Sequence, residues 1–122
     1  MKKTISIKRN NDFIRLYRRG KSDVAGVLVT YCSRNRRGMN RIGITATKKV
    51  GGAVQRNRAK RVIRAAYTAL EQELPQGWDF IFVARSRTAH CRMQSVEEAM
   101  RQQILGLTAP KPSTAAPPEA GQ

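Results

Sequence analysis

Apolar side chains recur along this chain with a period that changes several times, and each change marks a predicted element. Near the N-terminus, Phe13, Leu16 and Tyr17 lie at helical spacing, which predicts a short helix with Asn10 or Asn11 as its cap. Two arginines lie in its last turn, and the glycine that follows them is the predicted stop.

Two predicted strands come next. Residues 24–32 are rich in β-branched and aliphatic side chains and predict one strand. After a basic turn at residues 33–40, apolar and polar side chains alternate over residues 41–48, so we expect a returning strand and a hairpin with one apolar face. Residues 78–86 predict a strand that is apolar on both sides, which suits a central or covered position in a sheet.

The rest of the pattern predicts two more helices. The longest covers about residues 53–74 and ends at Pro75. Ser95 and Glu98 have the S-x-x-E spacing of a capping box, which predicts a last helix through about Leu107. The order helix, strands, helix, strand, helix indicates an α/β fold. Its strand-helix-strand succession implies a βαβ crossover, for which a right-handed connection is the default.

Length and composition limit the domain organisation. A chain of 122 residues is long enough for one domain with a core and too short for two ordinary ones. We place that domain at residues 1–107. Residues 108–122 hold four of the five prolines and no large apolar side chain, so this Pro/Ala-rich tail is predicted to be disordered.

Charge narrows the class of partner. Lys and Arg total 24 against 8 Asp and Glu, a net charge of +16, which favours a polyanion and nucleic acid above all. No apolar run approaches the roughly 18 residues needed to span a bilayer, no export signal is visible, and no nucleotide-binding glycine motif is present. We therefore expect no membrane partner and no small-molecule substrate.

Cys32 and Cys91 lack metal-ligand spacing, and reduced thiols in a cytoplasmic protein are expected.

The densest charge lies in residues 48–64, KKVGGAVQRNRAKRVIR, with seven Lys and Arg residues and no acid. On a helix that begins at Ala53, one arc is apolar and the remaining circumference is basic. Cations at a helix N-terminus are disfavoured unless an anion compensates, which indicates a nucleic-acid contact. Lys48 and Lys49 precede the helix in a glycine-containing turn whose N–H groups are open to a phosphate. The apolar arc comprises Ala59, Val62, Ile63, Ala66 and Leu70. The opposite face carries Asn57, Lys60, Arg61 and Arg64, and Arg56 and Arg58 flank the apolar arc on its two sides.

Aromatic side chains indicate a second contact. Phe13, Tyr17 and Tyr31 are predicted to line a cleft where bases stack on exposed rings, although Phe13 also suits a core position. His90 is the only histidine, and the acids are scattered without a paired-carboxylate spacing, so we expect no metal site and no catalytic residue in the protein itself.

The segment RIGITATKKVGGAVQRNRAKRVIRAAY resembles the signature of the bacterial ribonuclease P protein subunit. The resemblance extends to DFIRLYRRG, to the strand that ends near Tyr31 and to DFIFVAR, and it covers about residues 8–107. It implies a two-layer α/β sandwich like that of some ribosomal proteins, with an uncommon left-handed βαβ crossover. Gly52 departs from the family pattern, which often has Asn there, so a side-chain cap is in question.

What the resemblance implies about function is specific. The partners are a catalytic RNA and precursor tRNA, whose 5′ leader is removed, and Mg²⁺ is held mainly by the RNA subunit. Phe13, Tyr17 and Tyr31 would line the leader-binding cleft. Lys48 and Lys49, between the two surfaces, could serve either and are counted with the RNA-contacting set. By position, the residues that would contact the catalytic RNA are Arg56, Asn57, Arg58, Lys60, Arg61, Arg64, Lys48 and Lys49.

Two alternatives stay open at this point. A ribosomal-type RNA-binding protein or an RNA chaperone would use the same fold and charge without a role in processing. A nuclease acting through its own side chains is disfavoured, because the sequence offers few acids and one histidine.

Overall fold

The structure is a computed structural model and describes residues 4–109. Three short 3₁₀ turns, at Lys48–Val50, Glu71–Glu73 and Thr88–His90, connect or extend its main elements. The main elements are β1 Thr4–Ser6, α1 Asn10–Arg19, β2 Lys21–Ala25, β3 Leu28–Arg34, β4 Asn40–Thr45, α2 Ala53–Leu70, β5 Trp78–Ala84 and α3 Met93–Thr108.

The five strands form one sheet in the order β1-β4-β5-β3-β2. β4 is parallel to β1 and to β5, whereas β3 is antiparallel to β5 and to β2. β5 lies in the middle because both of its faces are apolar: Phe80 and Phe82 pack on one side, and Ile81 packs on the other. The predicted central position of this strand is confirmed.

The predicted hairpin between residues 24–32 and 41–48 is wrong. β3 and β4 run antiparallel, but β5 inserts between them and pairs with both. The physical reason is that β4, α2 and β5 form a crossover that brings β5 beside β4, and the buried central position goes to the strand without a polar face. The crossover itself is confirmed, and its left-handedness stays a prediction from the resemblance.

The single strand predicted at residues 24–32 is also wrong, because a two-residue turn at Gly26 and Val27 divides it into β2 and β3. Tertiary contacts fix this turn. The Thr88 hydroxyl donates to the Val27 carbonyl, and the Arg85 guanidinium donates to the carbonyl of Ala25. β2 lies at the edge of the sheet, and four of its five residues are exposed, which its largely polar composition tolerates.

Helices cover the sheet unequally. α2 and α3 pack on one face and bury the main core, which forms the predicted two-layer α/β sandwich. α1 crosses the other face, where Leu16 packs with Ile7 and Ile81 in a small second core. Val29, which lies on that second face, is outside this small core and is half-buried. The buried residues of α2 are Ala59, Ile63, Ala66, Tyr67 and Leu70, so the predicted arc is confirmed except that Val62 is half-buried and Tyr67 was missed.

Several predicted helix ends are wrong. The cap of α1 is Arg9, which makes no side-chain bond, and Asn10 already lies within the helix. α3 begins at Met93, so Ser95 lies inside the helix and forms no capping box. The backbone explains this second error, since the N–H of Ser95 donates to the carbonyl of Arg92 and closes a turn before the serine is reached.

The described chain ends just inside the predicted tail. α3 continues through Thr108, and of residues 108–122 the part from residue 110 onward lies outside the described residues. Within residues 4–109, no helix combines the length and the apolar character needed to cross a membrane.

One buried carboxylate ties α1, the sheet and a loop together. Arg41 binds Asp79 through two hydrogen bonds of 2.9 and 2.6 Å, and both residues are buried. Asn35 donates to the same carboxylate at 2.7 Å, and Arg41 reaches Asp12 of α1 at 3.4 Å. Burial acts to raise the pKa of Asp79, but the hydrogen bonds from Arg41 and Asn35 outweigh it and hold the pKa below its ordinary value.

We expect Arg41→Leu to lower the free energy of unfolding by about 3–5 kcal/mol, because it leaves the Asp79 carboxylate buried and uncompensated. Urea denaturation measures this loss. The matched control is Arg101→Leu, which breaks a more exposed pair with Glu97 and should change stability by only about 0.5 kcal/mol. Equal losses in the two variants would contradict a special role for the buried pair.

The same pair predicts a pH dependence. Since the folded-state pKa of Asp79 is lowered, its contribution to stability is complete above the unfolded pKa of about 3.9 and is lost as the pH falls through the folded value. The wild type and Asp79→Asn should therefore differ most in unfolding free energy near neutral pH and converge in acid. A difference that stays constant from pH 7 to pH 2 would contradict this account.

Candidate nucleic-acid interface

The exposed side of α2 carries a basic surface. Asn57, Lys60, Arg61 and Arg64 line an open depression of about 460 Å³ together with Val54, which is 75% exposed. The first turn of α2 contains no acid. These four predicted residues are therefore brought together on one face, opposite the buried arc, in a form that can contact the backbone of a nucleic acid. We call this set the α2 face.

Arg56 and Arg58, which the sequence also places on this surface, have an additional task. The guanidinium of Arg56 donates to the carbonyl of Gly51 at 3.2 Å, and that of Arg58 donates to the carbonyl of Ala89 at 2.7 Å. Each bond uses one of the five donors of the guanidinium, so the others remain for an anion. Both arginines thus also fix neighbouring turns, which the sequence pattern does not reveal.

The turn before α2 depends on its two glycines in different ways. Gly51 has φ 141°, a conformation that side-chain-bearing residues rarely adopt, and an added Cβ would lie 3.0 Å from Gln55. Gly52 is the cap of α2 in an ordinary extended conformation, φ −72°, and makes no side-chain cap bond. A side chain at Gly52 would have room, since its nearest contact is the flexible end of Gln55 at 3.4 Å.

On the opposite face of the sheet lies an open cleft of about 830 Å³. Val24, Val29 and Val83 supply apolar wall, and Lys48, Lys49 and Arg85 supply positive charge. An apolar surface edged by cations suits a single-stranded nucleic acid, whose bases are flat and whose backbone is anionic. Lys48 and Lys49 therefore belong by position to this cleft, beside the start of α2.

The three predicted aromatic residues separate into two roles. Tyr17 and Tyr31 meet edge to face with ring centroids 4.9 Å apart, and the Tyr17 hydroxyl lies 3.1 Å from that of Thr45. Tyr17 is 40% exposed, so its ring is open to a base. Phe13 instead packs so closely on Gly43 that an added Cβ there would meet its ring at 2.5 Å, and like Tyr31 it is half-buried against the small second core.

The aromatic pair adjoins the cleft through the pleat of the sheet. Val29 lies two positions from Tyr31 on the same face of β3, and Thr47 lies two positions beyond Thr45. Sequence reasoning missed Val24, Val83 and Arg85 as cleft residues. For Val83 the sequence does indicate a position on the same face of β5 as Ile81, two residues earlier, but the pattern alone does not show which face of the sheet stays uncovered.

Catalytic groups are scarce among residues 4–109. Within this range, no three His, Cys, Asp or Glu side chains come together in a way that could hold a metal ion. Burial raises the pKa of the Cys32 thiol to about 11, against a smaller opposing effect of Lys21, so this thiol is protonated at neutral pH and is a poor nucleophile. His90 is exposed on the turn Thr88–His90.

Comparisons with known proteins agree with this geometry. The family model described as Ribonuclease P matches residues 1–107. The ribonuclease P protein component of Clostridium botulinum strain Loch Maree is 40% identical over 95 residues, which are 77% of this chain and 86% of that protein. The corresponding protein of Thermoanaerobacter sp. strain X514 is 34% identical over 104 residues, covering 85% and 90% of the two chains.

Solved structures show the same fold. The RNase P protein of Staphylococcus aureus superposes with a TM-score of 0.72 at 30% identity, covering 85% of this chain and 94% of that one. The RNase P protein of Thermotoga maritima gives a TM-score of 0.73 at 23% identity over 81% and 94% of the two chains, which supports the fold alone.

The two glycines yield opposite predictions for stability. Gly52→Asn should raise the free energy of unfolding by a few tenths of a kcal/mol, because it supplies a side-chain cap to α2 in a conformation that Asn readily adopts. Gly51→Ala should lower it by about 1–3 kcal/mol, because the new side chain forces a strained backbone. Urea denaturation of both variants measures the contrast, and a loss of similar size at both positions would contradict the distinction.

Proposed function

This chain belongs to the ribonuclease P protein family, and from that premise we propose that it is the protein subunit of a ribonuclease P that removes the 5′ leader of precursor tRNA. Family membership implies partnership with ribonuclease P RNA and precursor tRNA. In the proposed division of labour, the α2 face binds the catalytic RNA and the cleft with Tyr17 and Tyr31 binds the leader. The holoenzyme is cytoplasmic.

The observation that carries the proposal is the placement of two different surfaces on opposite faces of one sheet. The α2 face is open, polar and basic, as suits the backbone of a structured RNA. The cleft combines exposed aromatic and aliphatic side chains with cations, as suits a single strand. Residues 46–52 connect the C-terminal end of β4 to α2 and join the two surfaces there.

In this proposal the protein acts by position and charge, and the chemical step belongs to the RNA subunit. Lys60, Arg61 and Arg64 would hold the catalytic RNA, while Tyr17 and Lys48 would hold the leader close to it. The positive charge of the protein lowers the repulsion between two RNAs. Mg²⁺, held mainly by RNA phosphates, would activate the attacking water and stabilise the leaving oxygen.

Three acids of the described chain support this assignment of the metal to the RNA. Asp12 and Asp79 are engaged with Arg15 and Arg41, and Glu97 lies 3.2 Å from Arg101. Carboxylates held by guanidinium groups are poorly placed to become ligands of a hard cation. We therefore propose that none of these three carboxylates is a metal ligand.

The test adds the purified protein to a bacterial ribonuclease P RNA and precursor tRNA at low Mg²⁺. The wild type should stimulate leader removal. The triple variant Lys60→Gln/Arg61→Gln/Arg64→Gln should bind the catalytic RNA about 100-fold more weakly at 0.1 M monovalent salt, because each lost phosphate contact costs about five-fold or more at that salt. Filter binding measures the affinity, and the initial cleavage rate measures the stimulation.

A charge-matched control separates a specific surface from general attraction. Lys21→Gln/Arg87→Gln/Arg101→Gln removes the same charge from positions outside the α2 face and the cleft, and it should retain most of the affinity.

In the same cleavage assay, Tyr17→Ala should slow cleavage of a substrate with a long leader and leave cleavage of a substrate with a one-nucleotide leader unaffected. The proposal fails if the wild type gives no stimulation, or if the protein alone, after micrococcal nuclease treatment, cleaves the substrate.

A further inference from the structure

α1 has two chemically different flanks. Leu16 points into the small second core, with Phe13 and Tyr17 on one side of it. Arg15 and Arg19, four positions apart, lie on the other side of the same helix. The aromatic flank belongs to the leader-binding cleft described above, whereas the function proposed so far makes no use of the arginine flank.

The arginine flank faces the basic turn between β3 and β4. Together they enclose a depression of about 490 Å³, and a second depression of about 440 Å³ adjoins it towards the end of β1. Arg15, Arg37 and Arg41 line both depressions, so the two are adjacent. We call this feature the arginine groove.

Among the described residues, most of the cations in the arginine groove lack an ion-pair partner, and of these Arg37 helps to lower the pKa of Asp79. Its two acids are already engaged, since Asp12 lies 2.6 Å from Arg15 and Asp79 holds Arg41. Six further cations line the groove, and in the part of the chain that the structure describes none of them forms an ion pair within 4.0 Å. These cations are Lys8, Arg9, Arg19, Arg34, Arg36 and Arg37.

The turn that carries Arg36 and Arg37 is held in a definite shape. The Asn35 side chain donates to the Met39 carbonyl at 3.1 Å and to Asp79 at 2.7 Å, and it accepts from the backbone N–H of Arg37 at 2.9 Å. Arg34 lies over the Trp78 ring at 5.5 Å, which restrains its guanidinium. The turn is thus hydrogen-bonded to the buried Asp79 carboxylate, so the backbone that carries its arginines has a fixed position.

The arginine groove is separate from the two surfaces already described. The sheet lies between it and the α2 face, and α1 lies between it and the cleft with Tyr17 and Tyr31. Five of the six unpaired cations are arginines, whose planar guanidinium matches two phosphate oxygens at once. Within residues 4–109, the groove has no aromatic side chain for stacking bases, and its one apolar side chain, Leu16, is buried, so its chemistry suits the backbone of a nucleic acid rather than its bases.

We propose that the arginine groove is a third RNA-binding surface, which holds phosphates of an RNA backbone. The phosphates come either from the catalytic RNA or from a stretch of precursor RNA beyond the cleft. Binding to the groove needs no catalysis, so it can be measured even if the processing role is wrong.

The test compares two charge-matched triple variants. Arg19→Gln/Arg36→Gln/Arg37→Gln removes three cations of the groove and spares Arg15 and Arg41, which hold the fold. The control is Lys21→Gln/Arg87→Gln/Arg101→Gln, none of which lines the groove. The probes are a folded bacterial ribonuclease P RNA and a single-stranded RNA of about 20 nucleotides. Affinity is measured from 0.05 to 0.5 M monovalent salt, after circular dichroism has shown that both variants are folded.

The groove variant should bind at least one probe about 100-fold more weakly at 0.1 M salt, with a log–log salt slope shallower by about 2, because three phosphate contacts are lost. A loss confined to the ribonuclease P RNA assigns the phosphates to the catalytic RNA, and a loss confined to the single strand assigns them to the precursor. The proposal is overturned if neither probe is affected, or if the control loses as much affinity as the groove variant.

Discussion

The Asp79 carboxylate is the interaction on which the arrangement of this molecule depends. It binds Arg41 of β4 and Asn35 of the β3–β4 turn, and through Arg41 it connects to Asp12 of α1. In a chain with three times as many cations as acids, one buried acid thus positions a helix, a turn and two strands. The position of α1 in turn decides which part of the sheet is covered and which part stays open to RNA.

A second constraint is the central place of β5. Its partners are β4 on one side and β3 on the other. The basic turn therefore begins at the end of β3, on one side of β5, and the segment that leads into α2 begins at the end of β4, on the other side. α2 then packs on one face through Ala59 and Ile63, which directs its cations away from the sheet. The separation of the α2 face from the cleft therefore follows from the packing of α2 on one face of the sheet, because the cleft lies on the other face.

The sequence predicted those features that depend on local periodicity. The buried arc and the polar face of α2 were predicted because helical spacing fixes both once the helix exists, and β5 was recognised by its two apolar faces. Strand pairing was wrong because β5 inserts between β3 and β4, a non-local contact that no pattern within residues 24–48 contains. β1 was missed because three residues are too few for a period. The hydrogen bonds of Arg56 and Arg58 to turn carbonyls were also invisible, since they depend on where those turns lie in space.

Surfaces on opposite faces of a rigid sheet have a consequence for assembly. Under the proposed assignment, a protein bound to the catalytic RNA through its α2 face would present the cleft at a fixed position, so that capture of the leader would become an intramolecular event with a high effective concentration. The gain requires that the two surfaces keep their relative orientation, which a sheet provides better than a flexible linker. The arginine groove lies on the same side of the sheet as the cleft, at the other flank of α1. In the proposed complex it would add backbone contacts to RNA without competing for bases at Tyr17 and Tyr31, because guanidinium groups bind the phosphates and leave the aromatic surface free.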